Sequence, residues 1–149
     1  MITVYLEGPD KSGKTTVYNV AKGRKDCRHV CIVDRGPIST AVYNVMFGRM
    51  TVEEAVLATK QAAEDMKRAR NVIMFFKRDA ALRAKHKDEY GYKLVDHQRL
   101  DLLFNTMLDV AKQEDVRTII VNNCMCKQRL QYIGLYNLLY LNNEEEKRV

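Results

Sequence analysis

The stretch Gly8-Pro9-Asp10-Lys11-Ser12-Gly13-Lys14-Thr15 sets a glycine, four free positions and then Gly-Lys-Thr in a row. That is the spacing a phosphate-binding loop requires. Glycines let the backbone curl until successive N–H groups point inward at phosphate oxygens. Lys14 adds a positive charge for the β- and γ-phosphates, and Thr15 offers a hydroxyl to Mg²⁺. The N-terminus of a following helix adds favourable partial charge. The flanks agree with this chemistry: Ile2-Thr3-Val4-Tyr5-Leu6 is apolar and β-prone, and Thr16 to Lys22 can continue as a helix. Binding of a nucleotide such as ATP with Mg²⁺ is the first inference.

A second group with chemical potential ends another apolar run. Val30-Cys31-Ile32-Val33 leads directly into Asp34-Arg35-Gly36-Pro37-Ile38-Ser39. An ionised aspartate at a strand terminus beside a phosphate loop can hold the Mg²⁺ water shell or accept a proton. The neighbouring Arg35 can bind a phosphate bidentately or neutralise charge in a transition state.

These residues need a scaffold that brings strand ends together. The pattern predicts strands at 2–6, 29–33, 72–76 and 118–121. Helices are predicted at about 14–22, 39–47, 51–69, 79–86, 95–113 and 126–141. Thr51 with Glu54 three residues on forms a capping-box pair at the start of the third helix. Short apolar strands alternating with amphipathic helices imply a parallel sheet covered on both faces, an α/β/α domain. Right-handed crossovers then put the loops after residues 6, 33, 76 and 121 along one edge, where ligands bind in open α/β sheets. The expected organisation is one domain over 1–143 with a frayed tail at 144–149.

Composition narrows the setting. With 46% hydrophobic and 30% charged residues over 149 positions, the chain reads as a soluble globular domain. It shows no bilayer-spanning run and no signal peptide, so a cytoplasmic location is expected. Cys27, Cys31, Cys124 and Cys126 lack zinc-site spacing and read as reduced thiols. The net charge of +6 favours anionic partners, either nucleotide phosphates or a nucleic acid backbone.

Together, Glu7-Gly8-Pro9-Asp10, the Gly13-Lys14-Thr15-Thr16 ending, Asp34-Arg35, Ser39 and Tyr43 resemble thymidylate kinase and related deoxynucleotide kinases, in a compact, phage-like version. The resemblance implies a P-loop kinase that phosphorylates a deoxynucleotide with ATP and Mg²⁺, in the host cytoplasm if phage-encoded. By that likeness Asp10 lies near the acceptor sugar and Lys11 near the transferred phosphoryl. Lys14, Thr15 and the loop residues Gly8, Ser12, Gly13 and Thr16 hold ATP. Asp34 is the Mg²⁺-linked carboxylate, Arg35 contacts the acceptor phosphate, and Ser39 with Tyr43 lines the acceptor pocket. The basic segment at about 78–93 stands where these kinases carry a lid, with Arg83 as the leading cation and Lys87 behind it. His86 and His97 read as surface residues, and Asn122 and Asn123 as residues near adenine.

The chain departs from the family in two places. The interval between the loop helix and Asp34 is short, which implies four parallel strands in the order 2-1-3-4, one fewer than the family has. Gly36 stands where an aromatic residue often follows the Asp-Arg pair. Both departures leave the donor half intact and the acceptor half open. A second reading therefore keeps the chemistry and moves the acceptor to a hydroxyl on DNA, a 5′ end or a hydroxymethylated pyrimidine such as 5-hydroxymethyluracil. The basic connector Arg24, Lys25, Arg28 and His29, with Lys85 and Lys87, favours it. A third reading, a nucleotide-dependent switch, leaves Asp34-Arg35 unused. The apolar stripe Leu130, Ile133, Leu135, Leu138 and Leu139 serves the core or a homodimer interface, with the core preferred.

Overall fold

The computed structural model describes residues 1–86, 90–123 and 126–148, with side chains through 141. Four parallel strands, β1 (Ile2–Glu7), β2 (Val30–Asp34), β3 (Val72–Lys77) and β4 (Arg117–Asn122), form one sheet in the order β2-β1-β3-β4. This is the expected order. Leu6 pairs with Asp34, Glu7 with Phe75, and Lys77 with Asn122, so the carboxyl ends of all four strands lie along one edge.

Helices α1 (Lys14–Ala21), α2 (Pro37–Met46), α3 (Val52–Arg68), α4 (Ala80–Ala84), α5 (Leu94–Gln113) and α6 (Lys127–Arg148) complete three layers. Side chains alternate along each strand, so the central strand β3 feeds two cores. Ile73 and Phe75 pack with Ile38 and Val42 of α2, Ala63 of α3 and Phe104 of α5. Met74 and Phe76, with Val4 and Leu6 of β1, pack against Val17 of α1 and Leu130 and Leu138 of α6.

Local chemistry explains most element ends. The Thr51 hydroxyl accepts from the Glu54 N–H at 3.1 Å, and the Glu54 carboxylate accepts from the Thr51 N–H at 3.3 Å. Helix α2 begins at Pro37, earlier than expected, because proline suits the first helical position, where no N–H is needed. Helix α4 is a short piece capped by Asp79, whose carboxylate accepts from the Ala81 N–H at 2.7 Å. Helix α6 runs on to Arg148, through the segment expected to fray. No helix of the described residues is long and apolar enough to cross a membrane.

Gly134 fixes how closely α6 approaches the helix behind the phosphate loop. A Cβ there would stand 2.6 Å from both γ-carbons of Val17, which is fully buried. Gly134→Ala should therefore lower stability by about 1–3 kcal/mol, despite alanine's higher helix propensity, because two packed helices must part. Denaturant titration checks this. A midpoint at or above that of the native chain would contradict the packing account.

Candidate functional site

Between β1 and α1 the backbone of the loop turns repeatedly into the left-handed region. Gly8 has φ 133°, Lys11 φ 66° and Gly13 φ 105°. Lys11 is not a glycine and adopts that conformation at a cost of order 1 kcal/mol. The Lys14 side chain folds back into the loop. Its ammonium donates to the carbonyls of Gly8 and Pro9, the latter at 3.1 Å. The residue is 6% exposed, and burial draws its pKa down to about 8, with Asp10 pulling the other way.

Across the sheet, the end of β2 is tied to the same loop. Arg35 has φ 68°, and its N–H donates to the Leu6 carbonyl at 3.1 Å. Its guanidinium Nη2 reaches Asp10 Oδ1 at 2.9 Å. Burial opposes the Arg35 charge, and Asp10 and the Tyr43 and Tyr90 side chains more than offset it, so its pKa is raised. The Asp10 N–H donates to the Tyr43 hydroxyl at 3.1 Å. Burial pushes the Tyr43 pKa up.

Beneath this junction lies Glu7, whose role the sequence reading missed. It is fully buried at the end of β1. Its carboxylate accepts from the Gly36 N–H and, at 2.6 Å, from the Ser39 N–H. Burial raises its pKa to about 7, with those two backbone donors and Lys14 opposing the rise. Gly36 is explained by the same contact. A Cβ at this position would stand 2.6 Å from Glu7 Oε1 and 2.7 Å from the Tyr5 ring. The available signal was one acidic residue closing an otherwise apolar strand just before the loop.

These elements surround a cavity of about 760 Å³. Asp10, Lys11, Ser12, Gly13, Lys14, Thr15 and Thr16 line it from the loop, and Asp34 and Arg35 from β2. Asn123 lines it from beyond β4 and donates its carboxamide N–H to the Ser12 carbonyl at 2.9 Å, so it braces the loop. Arg78, His86, Lys127 and Leu130 complete the wall. Gly8 lies at the base of the loop, its own Cβ position blocked by the Phe76 carbonyl at 2.6 Å.

Several expected residues sit elsewhere. Arg83 is not a free lid cation: it is fully buried, and Nη2 donates to Asp101 and, at 3.1 Å, to the His97 carbonyl. The reason is helical phase, which turns Arg83 of α4 inward onto α5. Among the described residues of this segment, Arg78 reaches the loop: its Nη1 donates to the Lys11 carbonyl at 3.0 Å. Lys87 lies outside the described residues, as does Cys124. His97 is not at the surface but buried, its ring edge-to-face with Tyr92 at 6.1 Å. Ser39 and Tyr43, expected to line an acceptor pocket, are 2% and 9% exposed and stand outside the cavity wall. Of the remaining cysteines, Cys27 is buried and Cys31 and Cys126 are exposed, all as free thiols.

The residues present suit a triphosphate with magnesium. The Lys14 ammonium rests on carbonyls that a phosphate oxygen would outcompete, and the buried Ser12 hydroxyl has no hydrogen-bond partner among the described residues. Thr15 and Asp34 are exposed oxygen donors on the same cavity. Among the described residues no cluster of three or more His, Cys, Asp or Glu could hold a metal. Two protein oxygens match the way Mg²⁺ is held, chiefly through substrate phosphates and water. No protein-family model matches the chain, and no curated protein matches it. Its three layers and strand order are those of the P-loop NTPase superfamily.

Proposed function

We propose that this chain is an ATP-dependent P-loop kinase that transfers the γ-phosphoryl group to a thymidine-like deoxynucleotide. One observation carries the reading: a single cavity joins the Lys14 loop to Asp34 and Arg35 of the adjacent strand. The loop amides and Lys14 bind and orient the triphosphate. Thr15 and Asp34 are the residues that would hold Mg²⁺, which supplies charge neutralisation across the β- and γ-phosphates when bound. Arg35 binds the acceptor's phosphate, and Asp10 holds the guanidinium in line. The acceptor oxygen forms the new P–O bond as the β,γ-bridging bond breaks and ADP leaves. Arg78 and Lys11, at the cavity wall, offset charge on the group in flight.

The exposed cations on the cavity wall, Lys11 and Lys127, also favour the second acceptor, a hydroxyl on DNA. Incubation with labelled ATP·Mg²⁺ and dTMP, dUMP, oligonucleotides or hydroxymethyluracil DNA separates the two. Label in dTDP alone supports the nucleotide acceptor, and label retained on DNA supports the polymer. Hydrolysis indifferent to every acceptor contradicts both. Asp34→Asn should cut turnover by roughly a hundredfold or more with little change in ATP affinity, since its part lies in metal and proton handling. Unchanged turnover in that variant would remove Asp34 from the mechanism.

A further inference from the structure

Aromatic rings gather behind Arg35, beyond the cavity wall that Arg35 itself lines, in an arrangement that triphosphate binding does not use. Phe47, at the C-terminal end of α2, and Tyr90 meet edge-to-face with centroids 5.4 Å apart. Tyr43 backs both, at 6.1 Å from Phe47 and 6.4 Å from Tyr90, and Tyr92 lies 5.4 Å from Tyr90. Phe47 and Tyr90 remain 42% and 40% exposed. Two guanidiniums flank them: Arg35 stands 5.9 Å over the Tyr43 ring and Arg49 5.3 Å over the Phe47 ring.

We propose that Phe47 and Tyr90 form a stacking platform for a nucleobase whose phosphate is taken by Arg35, with Arg49 as a second anion contact. The ligand class rests on the phosphoryl-transfer reading. Arg49 covers one face of Phe47, and the ring surface that stays exposed between the two cations suits a ligand that is planar and anionic at once. An apolar peptide would have to desolvate both guanidiniums for no return. The Asp10 ion pair and the Tyr90 side chain hold Arg35 beside the platform, so the base and phosphate subsites are positioned together. Because the rings lie at the surface, the base can arrive on a free nucleotide or on the 5′-phosphorylated end of a strand. Stacking tolerates either source.

The test uses the full chain without ATP. Phe47 is the one exposed ring among the four phenylalanines, since Phe75, Phe76 and Phe104 are at most 2% exposed. Carbon-13 labelling of phenylalanine therefore gives a direct readout. Titration with dTMP or with a 5′-phosphorylated thymidine tetranucleotide should shift the Phe47 resonance and leave the three buried ones in place. The probe that acts at the lower concentration identifies the source of the base. Phe47→Leu, which keeps the site apolar, and Arg49→Gln should each weaken binding roughly tenfold by calorimetry, and Tyr90→Phe should restore most of the affinity lost in Tyr90→Ala. A Phe47 signal unmoved by both probes, or native affinity in both the Phe47 and Arg49 variants, overturns the platform. Shifts without any phosphoryl transfer would sink the kinase reading alone. Transfer to dTMP with an unmoved Phe47 would sink the platform alone.

Discussion

Lys14→Ala is expected to abolish phosphoryl transfer, lowering turnover by roughly a thousandfold, while leaving the chain folded. The two halves of that expectation have different causes. The ammonium is held in the loop against a desolvation cost, so its removal relieves a burden on the folded state. What disappears is the charge aimed at the β- and γ-phosphates. The same geometry sets a pH dependence for the native chain. Burial holds the lysine's pKa at about 8, below its ordinary value, so the ligand-free loop is expected to shed the proton around that pH. A bound triphosphate would raise that pKa again, so binding above pH 8 must take up a proton and weaken with each further step upward. Calorimetry in buffers of different ionisation enthalpy counts the proton. Turnover near native levels in Lys14→Ala, or no proton uptake at pH 9, would contradict the assigned role.

Removing the Glu7 carboxylate should do comparable damage by another route. Glu7→Ala leaves the buried Gly36 and Ser39 N–H groups without an acceptor, at about 1–3 kcal/mol each. It also frees the turn that carries Asp34 and Arg35, so turnover should fall along with stability. The near-isosteric Glu7→Gln removes the titration, at the cost of one of the two acceptor oxygens that serve Gly36 and Ser39. In the native chain Glu7 has a folded pKa of about 7 against an ordinary value of 4.5. Its contribution is complete below pH 4.5, declines as pH rises because the unfolded chain releases the proton first, and levels off above 7. Lys14, with its pKa of about 8, stays charged through that window. Urea midpoints across the window should show a decline on the order of 3 kcal/mol that Glu7→Gln lacks. Parallel profiles for the two proteins would show that Glu7 does not titrate as argued.

Local, periodic information in the sequence carried the scaffold. The loop spacing, the apolar strands and the Thr51 cap each depend on residues close along the chain, whereas the order 2-1-3-4 was implied by the resemblance to the deoxynucleotide kinases with one strand missing. Side-chain direction at the site was harder to read. A basic segment shows that cations are present, but which one faces the loop depends on the phase of a short helix. Arg83, expected as the leading cation, turns inward onto α5, while Arg78 just before α4 reaches the Lys11 carbonyl. Glu7 looked like part of a motif because its partners stand far along the chain, at Gly36 and Ser39. The ring cluster was invisible for the same reason: Phe47 and Tyr90 meet only once α2 and the segment before α5 converge.

The contact of Val17 with Gly134 has a mechanical consequence. A side chain as small as hydrogen lets one rod seat directly on another, and such a joint has no slack along its length. On the proposed reading, the donor grip mounted on α1 is thus the anvil of the device. On the same reading, adjustment to an incoming molecule falls to the opposite jaw, where Arg49 and the exposed rings meet solvent.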